Sequence, residues 1–261
     1  EFIRRVGTFD EHGPRANMQI TPDGDYVQTG VQWNRSGYFR KALSQLLTAP
    51  ERSGLYYLHA RDKAGRFFSF PWVVAPREPV AELAVLASDI NWNAYNSFGG
   101  RSNYIHADAF PPTPTVNSRL ELKRYTEHEH RTYNADHYAP LSLERPDPYN
   151  HIDEGEVLTA PIAGRQGCHM AAAEWRLLGW MEGRDIAYDL YGETQFHFDQ
   201  VPLDSYKALV ISTHPEYWSR EMYFRLKSWV FERGGRLIYL CLLYTSDAAD
   251  ERSRVDLGGR S

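Results

Sequence analysis

The sequence predicts an α/β protein: a parallel-sheet, three-layer domain preceded by part of a β-sandwich-like domain. From residue 83 onward, short apolar runs alternate with stretches of helical spacing, an order typical of parallel strands joined by right-handed crossovers. The run 83-LAVLASD-89 begins with five apolar residues in succession, as expected for a strand covered on both faces. Residues 1–77 instead contain several short strand candidates separated by Gly and Pro, which favours a sandwich.

The β-rich part, 1–77, contains one clear hairpin. The run 53-SGLYYLHARD-62 is rich in aromatic residues, and 66-RFFSFPWVVA-75 returns after a turn that contains Gly65. Pro71 cannot donate a ladder hydrogen bond, so we expect an edge strand or a bulge there. The run 25-DYVQTGVQW-33 is a further strand candidate, and the Pro-rich segment 75–82 is a plausible linker.

The α/β domain, 78–240, is predicted in chain order after its first strand. A helix over 168–184 is expected to end at Gly183, and strands follow at 185–192 and 207–212. A helix over 219–235 has Ser219 as its N-cap, and 236-RLIYL-240 is the next strand. Residues 101–160 are mostly irregular, and a loop region of this length is more often functional than accidental.

The length, charge and composition of the chain limit the classes of function and the locations that we expect for the protein. The chain has 261 residues, 42% of them hydrophobic, and a net charge of −5 with acids and bases interspersed, so we expect no nucleic-acid partner. No apolar run approaches the ~20 residues of a membrane span, so we expect no membrane association. Two cysteines make no disulfide framework, which favours a cytoplasmic location. The chain opens on Glu1 rather than Met, so we expect the native protein to begin upstream.

The segment 241-CLLYTSDAADERSRVDLGGRS-261 differs from the rest of the chain. It is small and polar without apolar periodicity, and it resembles a translated sequencing adapter. We expect it to be an artefact that replaces the native sequence after Leu240, with a natural polar tail as the alternative.

Two strand ends carry unusual residues. In open parallel sheets ligands bind beyond the carboxyl ends of the strands, where 88-SDINWNAYNSFGG-100 and 212-STHPEYW-218 would converge. His214 and Glu216 are spaced to point to one side of an extended chain, and such a pair can bind a metal, act as acid and base, or simply close a turn. Tyr95 lies among asparagines, which suits either a polar site or a hydroxyl bonded to loop amides.

Other candidates carry weaker signals. The run 127-EHEH-130 with His137 lacks a zinc-type frame and is more typical of a solvated loop. Cys168 and His169 are sequence neighbours and would not face each other on a helix. The sequence contains no serine-hydrolase elbow and no phosphate-binding glycine motif.

Taken together, N-A-Y-N-x-x-G-G, 145-RPDPY-149 and H-x-E-Y-W-S-R-E-M over 214–222 resemble the C-terminal region of the N,N-dimethylformamidase large subunit and its relatives. The resemblance covers about residues 54–240. It implies a mononuclear Fe(III) centre with two tyrosines and one carboxylate as ligands. Glu216 would supply the carboxylate and Tyr95 one phenolate.

The second tyrosine would be Tyr149, with Tyr138 and Tyr104 as alternatives, and His214 would be an active-site neighbour of the metal. The resemblance further implies hydrolysis of a small amide, a small partner subunit and a homo-oligomer. The family's G-G-N loop after the last strand is replaced here by the adapter-like segment, so we expect this polypeptide to be an inactive fragment of an active enzyme.

Two other hypotheses remain at this point. The aromatic-rich first part would suit a non-catalytic carbohydrate-binding module. A metal-free, amidotransferase-like α/β domain would need a nucleophilic cysteine, for which Cys168 is the candidate.

Overall fold

The computed structural model describes residues 20–21, 24–25, 46–65, 67–96, 143, 147, 150–152, 170–213 and 215–241. Its strands are β1 (Ile20–Thr21), β2 (Gly24–Asp25), β3 (Gly54–Arg61), β4 (Phe67–Val74), β5 (Leu83–Ala87), β6 (Asp189–Gly192), β7 (Ala208–Thr213) and β8 (Leu237–Cys241). Its helices are α1 (Asp89–Tyr95), α2 (Met170–Glu182), α3 (Glu193–His197) and α4 (Arg220–Glu232), with a 3-10 helix at Leu203–Ser205.

The predicted α/β fold is confirmed by a four-stranded sheet in the order β6-β5-β7-β8, with every pair parallel. The central strands β5 and β7 alternate their buried side chains between two apolar clusters, one on each face of the sheet. On one face Val85 and Val210 pack with α2 and with Leu55 of β3. On the other face Leu86 and Leu209 pack with residues of α3 and α4.

The predicted hairpin is formed by β3 and β4, which pair antiparallel from Gly54↔Val74 to Arg61↔Phe67. The ladder runs without a bulge, and Pro71 lies opposite Tyr57. Among the described residues β4 pairs only with β3, in agreement with the edge position expected for a strand proline. Most of residues 1–45 lies outside the described residues, including all of the candidate strand 25–33 except Asp25, which belongs to β2, so the sandwich stays a prediction.

Two predicted strand boundaries were wrong. Strand β5 ends at Ala87 rather than Asp89, because Asp89 already belongs to the first turn of α1. Strand β6 begins at Asp189 rather than residue 185. The turn after α2 takes up the intervening residues: the Ile186 N–H returns to the Met181 carbonyl, and Asp185 has a positive φ of 54°.

Helix ends follow their expected chemistry. Ser219 is the N-cap of α4, and its hydroxyl accepts a hydrogen bond from the Met222 N–H at 3.2 Å.

The predicted linker is fixed to the sheet, because the N–H groups of Val80 and Ala81 donate to the buried carboxylate of Asp189. Within the described part of the chain, no helix has the length and apolar character to cross a bilayer.

Candidate active site

At the carboxyl edge of the sheet, three strands are each followed by a segment that carries polar residues. Strand β5 leads into α1, β6 leads directly into α3, and β7 leads into the segment 215–218 that carries Glu216. Thr213, the last residue of β7, has a φ of 64°, a left-handed conformation that a β-branched residue rarely adopts. Backbone strain of this kind is found most often at functional sites. It persists only where the surrounding structure enforces it.

Tyr95 and Glu216 meet at this edge. The Tyr95 hydroxyl lies 2.9 Å from one carboxylate oxygen of Glu216 and 3.0 Å from the other, and it donates a hydrogen bond to the pair. Tyr95 is the last residue of α1, and both side chains are partly buried. Tyr217 packs edge-on against the Tyr95 ring, with centroids 6.5 Å apart.

The backbone of the Glu216 segment is held by Asn91 of α1. The carboxamide oxygen of Asn91 accepts from the N–H of Glu216 at 2.9 Å and from that of Tyr217 at 3.0 Å. The Asn91 amide nitrogen donates to Glu193 at 2.8 Å. The other oxygen of Glu193 accepts from the Trp218 indole N–H, also at 2.8 Å. Asn91 and Glu193 therefore tie α1, α3 and the segment 216–218 together.

Glu174 of α2 lies under the same edge. One of its oxygens accepts from the Ser88 N–H at 3.1 Å, the Trp92 indole at 3.0 Å and the Thr213 hydroxyl at 2.9 Å. Burial raises the pKa of Glu174 from 4.5 to about 7, although these three hydrogen bonds act in the opposite direction. Glu174 thus links the start of α1 to the strained end of β7.

Two further carboxyl groups with raised pKa lie near the start of α1, namely the half-buried Asp89 in α1 itself and the buried Glu193 in α3. Burial raises the pKa of Asp89, which accepts a hydrogen bond from the Thr194 N–H at 2.9 Å. Burial and, next, the negative charge of Asp89 raise the pKa of Glu193 well above its usual value. Burial is thus the largest cause of the raised pKa in both groups.

The structure brings together two of the sequence-predicted site residues, Tyr95 and Glu216. His214 and the second-tyrosine candidates Tyr149, Tyr138 and Tyr104 lie outside the described residues, so their roles stay predictions. The weaker candidates lie outside them as well; they are 127–130, His137, Cys168 and His169.

Sequence reasoning missed Asn91, Glu174 and Glu193. The available signals were an acid, Glu174, in the middle of the apolar run of α2, and an acid, Glu193, placed directly after the strand β6. Trp92 and Trp218 each donate an indole hydrogen bond to one of the buried glutamates.

The separation of the Tyr95 and Glu216 side-chain oxygens can be compared with that of two oxygen ligands on one cation. Two oxygens bound at right angles, each at about 2.0–2.1 Å from an ion, lie about 2.8–3.0 Å apart. The Tyr95 and Glu216 oxygens have that separation. A phenol and a carboxylate are hard oxygen donors, which suit a hard cation. In the described ranges no cluster of three His, Cys, Asp or Glu side chains is suited to a metal.

Comparison with known families decides the assignment. Residues 8–241 match the family described as N,N-dimethylformamidase beta subunit-like, C-terminal. The chain belongs to this family. The match extends further toward the N-terminus than the motifs alone indicated. No curated protein and no solved structure matches the chain significantly. A dimethylformamidase-related function is therefore favoured over the carbohydrate-binding and amidotransferase-like hypotheses.

Proposed function

We propose that this chain carries the metal centre of an amide hydrolase that cleaves a small N-substituted amide, such as N,N-dimethylformamide, to formate and an amine. The observation that carries the proposal is the contact between the Tyr95 hydroxyl and both carboxylate oxygens of Glu216. The two groups come from segments 121 residues apart and meet at the carboxyl edge of a parallel sheet. Family membership supplies the reaction class.

The residues that would hold Fe(III) are Tyr95, Glu216 and Tyr149, with Tyr138 or Tyr104 as alternatives for the third position. When bound, the ion would polarise the amide carbonyl and lower the pKa of a coordinated water. The Tyr95 phenol proton already points at Glu216, so this carboxylate is the nearest acceptor when the phenol ionises. Tyr217 covers one side of the Tyr95 ring.

His214 has a proposed role in the same site. It follows the strained Thr213 and precedes Glu216 by two residues. An imidazole placed there would donate a hydrogen bond to the oxyanion that forms when water attacks the amide carbonyl.

The description "beta subunit-like" further supports a multi-subunit enzyme, for which we propose a small partner subunit and a homo-oligomer. A cytoplasmic location stays a prediction.

Iron binding by the purified chain tests the proposal without relying on turnover. We expect about one iron per chain after loading with Fe(III), and a visible absorption band from phenolate-to-iron charge transfer. Tyr95→Phe and Glu216→Gln should each remove most of the iron and the band, while circular dichroism shows the fold intact.

Tyr188→Phe is the matched control. Tyr188 donates to Glu182 at 2.9 Å, so it forms the same type of pair at the amino end of β6, away from the site. This variant should keep both the iron and the colour. A folded, colourless and iron-free wild-type chain, or a Tyr95→Phe chain that retains the band, would contradict the proposal.

A further inference from the structure

We propose that Asn91 is the positioning residue that presents Glu216 to Tyr95, and that Glu193 fixes Asn91 in the one amide orientation that does so. The inference rests on the proposed function only for the role of the Tyr95–Glu216 pair. Its geometric content is independent of any metal.

Asn91 and Tyr95 act from one face of α1. They are four residues apart, so their side chains are neighbours on the helix surface. Asn91 holds the backbone N–H of Glu216, and Tyr95 holds its carboxylate. The same short helix therefore hydrogen-bonds to Glu216 at two points. These contacts fix both the position of its backbone and the direction of its side chain.

The orientation of the Asn91 amide follows from its partners. Its oxygen faces two N–H groups, and its nitrogen faces a carboxylate oxygen of Glu193. A flipped amide would point its NH2 group at two donors and its oxygen at an acceptor, losing all three hydrogen bonds. Asn91 is fully buried, so water cannot replace them.

Glu193 requires both of its oxygens for this arrangement. One accepts from Asn91, and the other accepts from Trp218, two residues after Glu216. A glutamine at position 193 has a single acceptor oxygen and must turn its NH2 group toward one of the two donors. The carboxyl group thus holds the segment 216–218 through Asn91 at one end and directly at the other.

Hydrogen exchange measures this arrangement directly. In Asn91→Ala the backbone amides of Glu216 and Tyr217 lose their acceptor, and we expect them to exchange about tenfold faster or more. The Val210 amide in β7 serves as the internal reference and should keep its protection. Iron affinity should fall together with the protection of residues 216 and 217.

Ser53→Ala is the matched control. The buried Ser53 hydroxyl accepts from the Leu190 N–H at 2.7 Å and donates to the Val74 carbonyl at 2.9 Å, so its loss removes comparable bonds elsewhere. This variant should leave amide exchange at residues 216 and 217 and iron affinity unchanged. If Asn91→Ala does not fold, Glu193→Gln replaces it, with a smaller increase of exchange at residues 216 and 217 expected.

The outcomes separate the two proposals. Unchanged exchange at residues 216 and 217 in both variants overturns the positioning role of Asn91, whatever happens to iron. Faster exchange with full iron affinity also overturns it, because Glu216 would then reach the metal without the contact. A wild-type chain that binds no iron refutes the proposed function, while the exchange of the two amides still decides whether Asn91 holds the segment.

Discussion

Glu174 offers the sharpest test of how the site edge is held together. Its side chain is fully buried, one oxygen accepts three hydrogen bonds, and the other has no partner among the described residues. Burial raises its pKa from 4.5 to about 7. The folded protein therefore binds a proton at Glu174 that the unfolded chain releases at lower pH.

The sign and size of the effect follow from this difference. A carboxyl group with a raised folded-state pKa contributes stability that is complete below pH 4.5 and is lost as the pH rises through about 7. A rise from 4.5 to about 7 corresponds to about 3 kcal/mol, at about 1.36 kcal/mol per pH unit. In Glu174→Gln the amide oxygen can still accept the three hydrogen bonds, and the position no longer ionises.

We therefore expect the free energy of unfolding of Glu174→Gln, relative to wild type, to rise by ~2–3 kcal/mol between pH 5 and pH 8.5. Urea denaturation at four or five pH values measures it. Leu178→Ala is the control: this buried residue lies one turn further along α2 and does not ionise, so its cost of ~2–5 kcal/mol should be the same at every pH. A difference between Glu174→Gln and wild type that stays constant across this range would refute the reasoning.

Two further predictions concern α4 and can be checked by urea denaturation at a single pH. Ser219→Ala removes the hydroxyl that accepts from the Met222 N–H and should lower the free energy of unfolding by ~1 kcal/mol; no loss would show that another group caps the helix. Gly235→Ala would place a methyl group 2.2 Å from the ring of Trp229, which is buried, and should cost ~1–3 kcal/mol; an unchanged stability would mean that the turn after α4 shifts freely.

The sequence was most informative where a local pattern decides the structure. Continuous apolar runs predicted β5 and β7, since strands buried on both faces have no polar side. Ser219 followed by helical spacing predicted the start of α4. The rule that ligands bind beyond the carboxyl ends of parallel strands then predicted that the segments carrying Tyr95 and Glu216 would converge.

The supporting residues were not predictable in the same way. Asn91 and Glu216 are separated by 125 residues, and Ser88 and Glu174 by 86, so no window of sequence contains both partners. Helix α1 was also missed, because seven residues with two asparagines give too short a periodic pattern. The register of α1 against its neighbours emerges only when the sheet and three helices pack together.

Helix α1 depends on packing against its neighbours, which explains why several carboxyl groups are buried beside this short helix. A helix of seven residues is too short to be stable alone, so α1 needs attachments to its neighbours. Glu174 binds its first turn to β7, and Glu193 binds Asn91 to α3. Each carboxyl group is costly to bury, and apolar contacts would hold the helix less directionally. We infer that the direction of these hydrogen bonds is what the site requires, because a rotation of α1 would separate Tyr95 from Glu216.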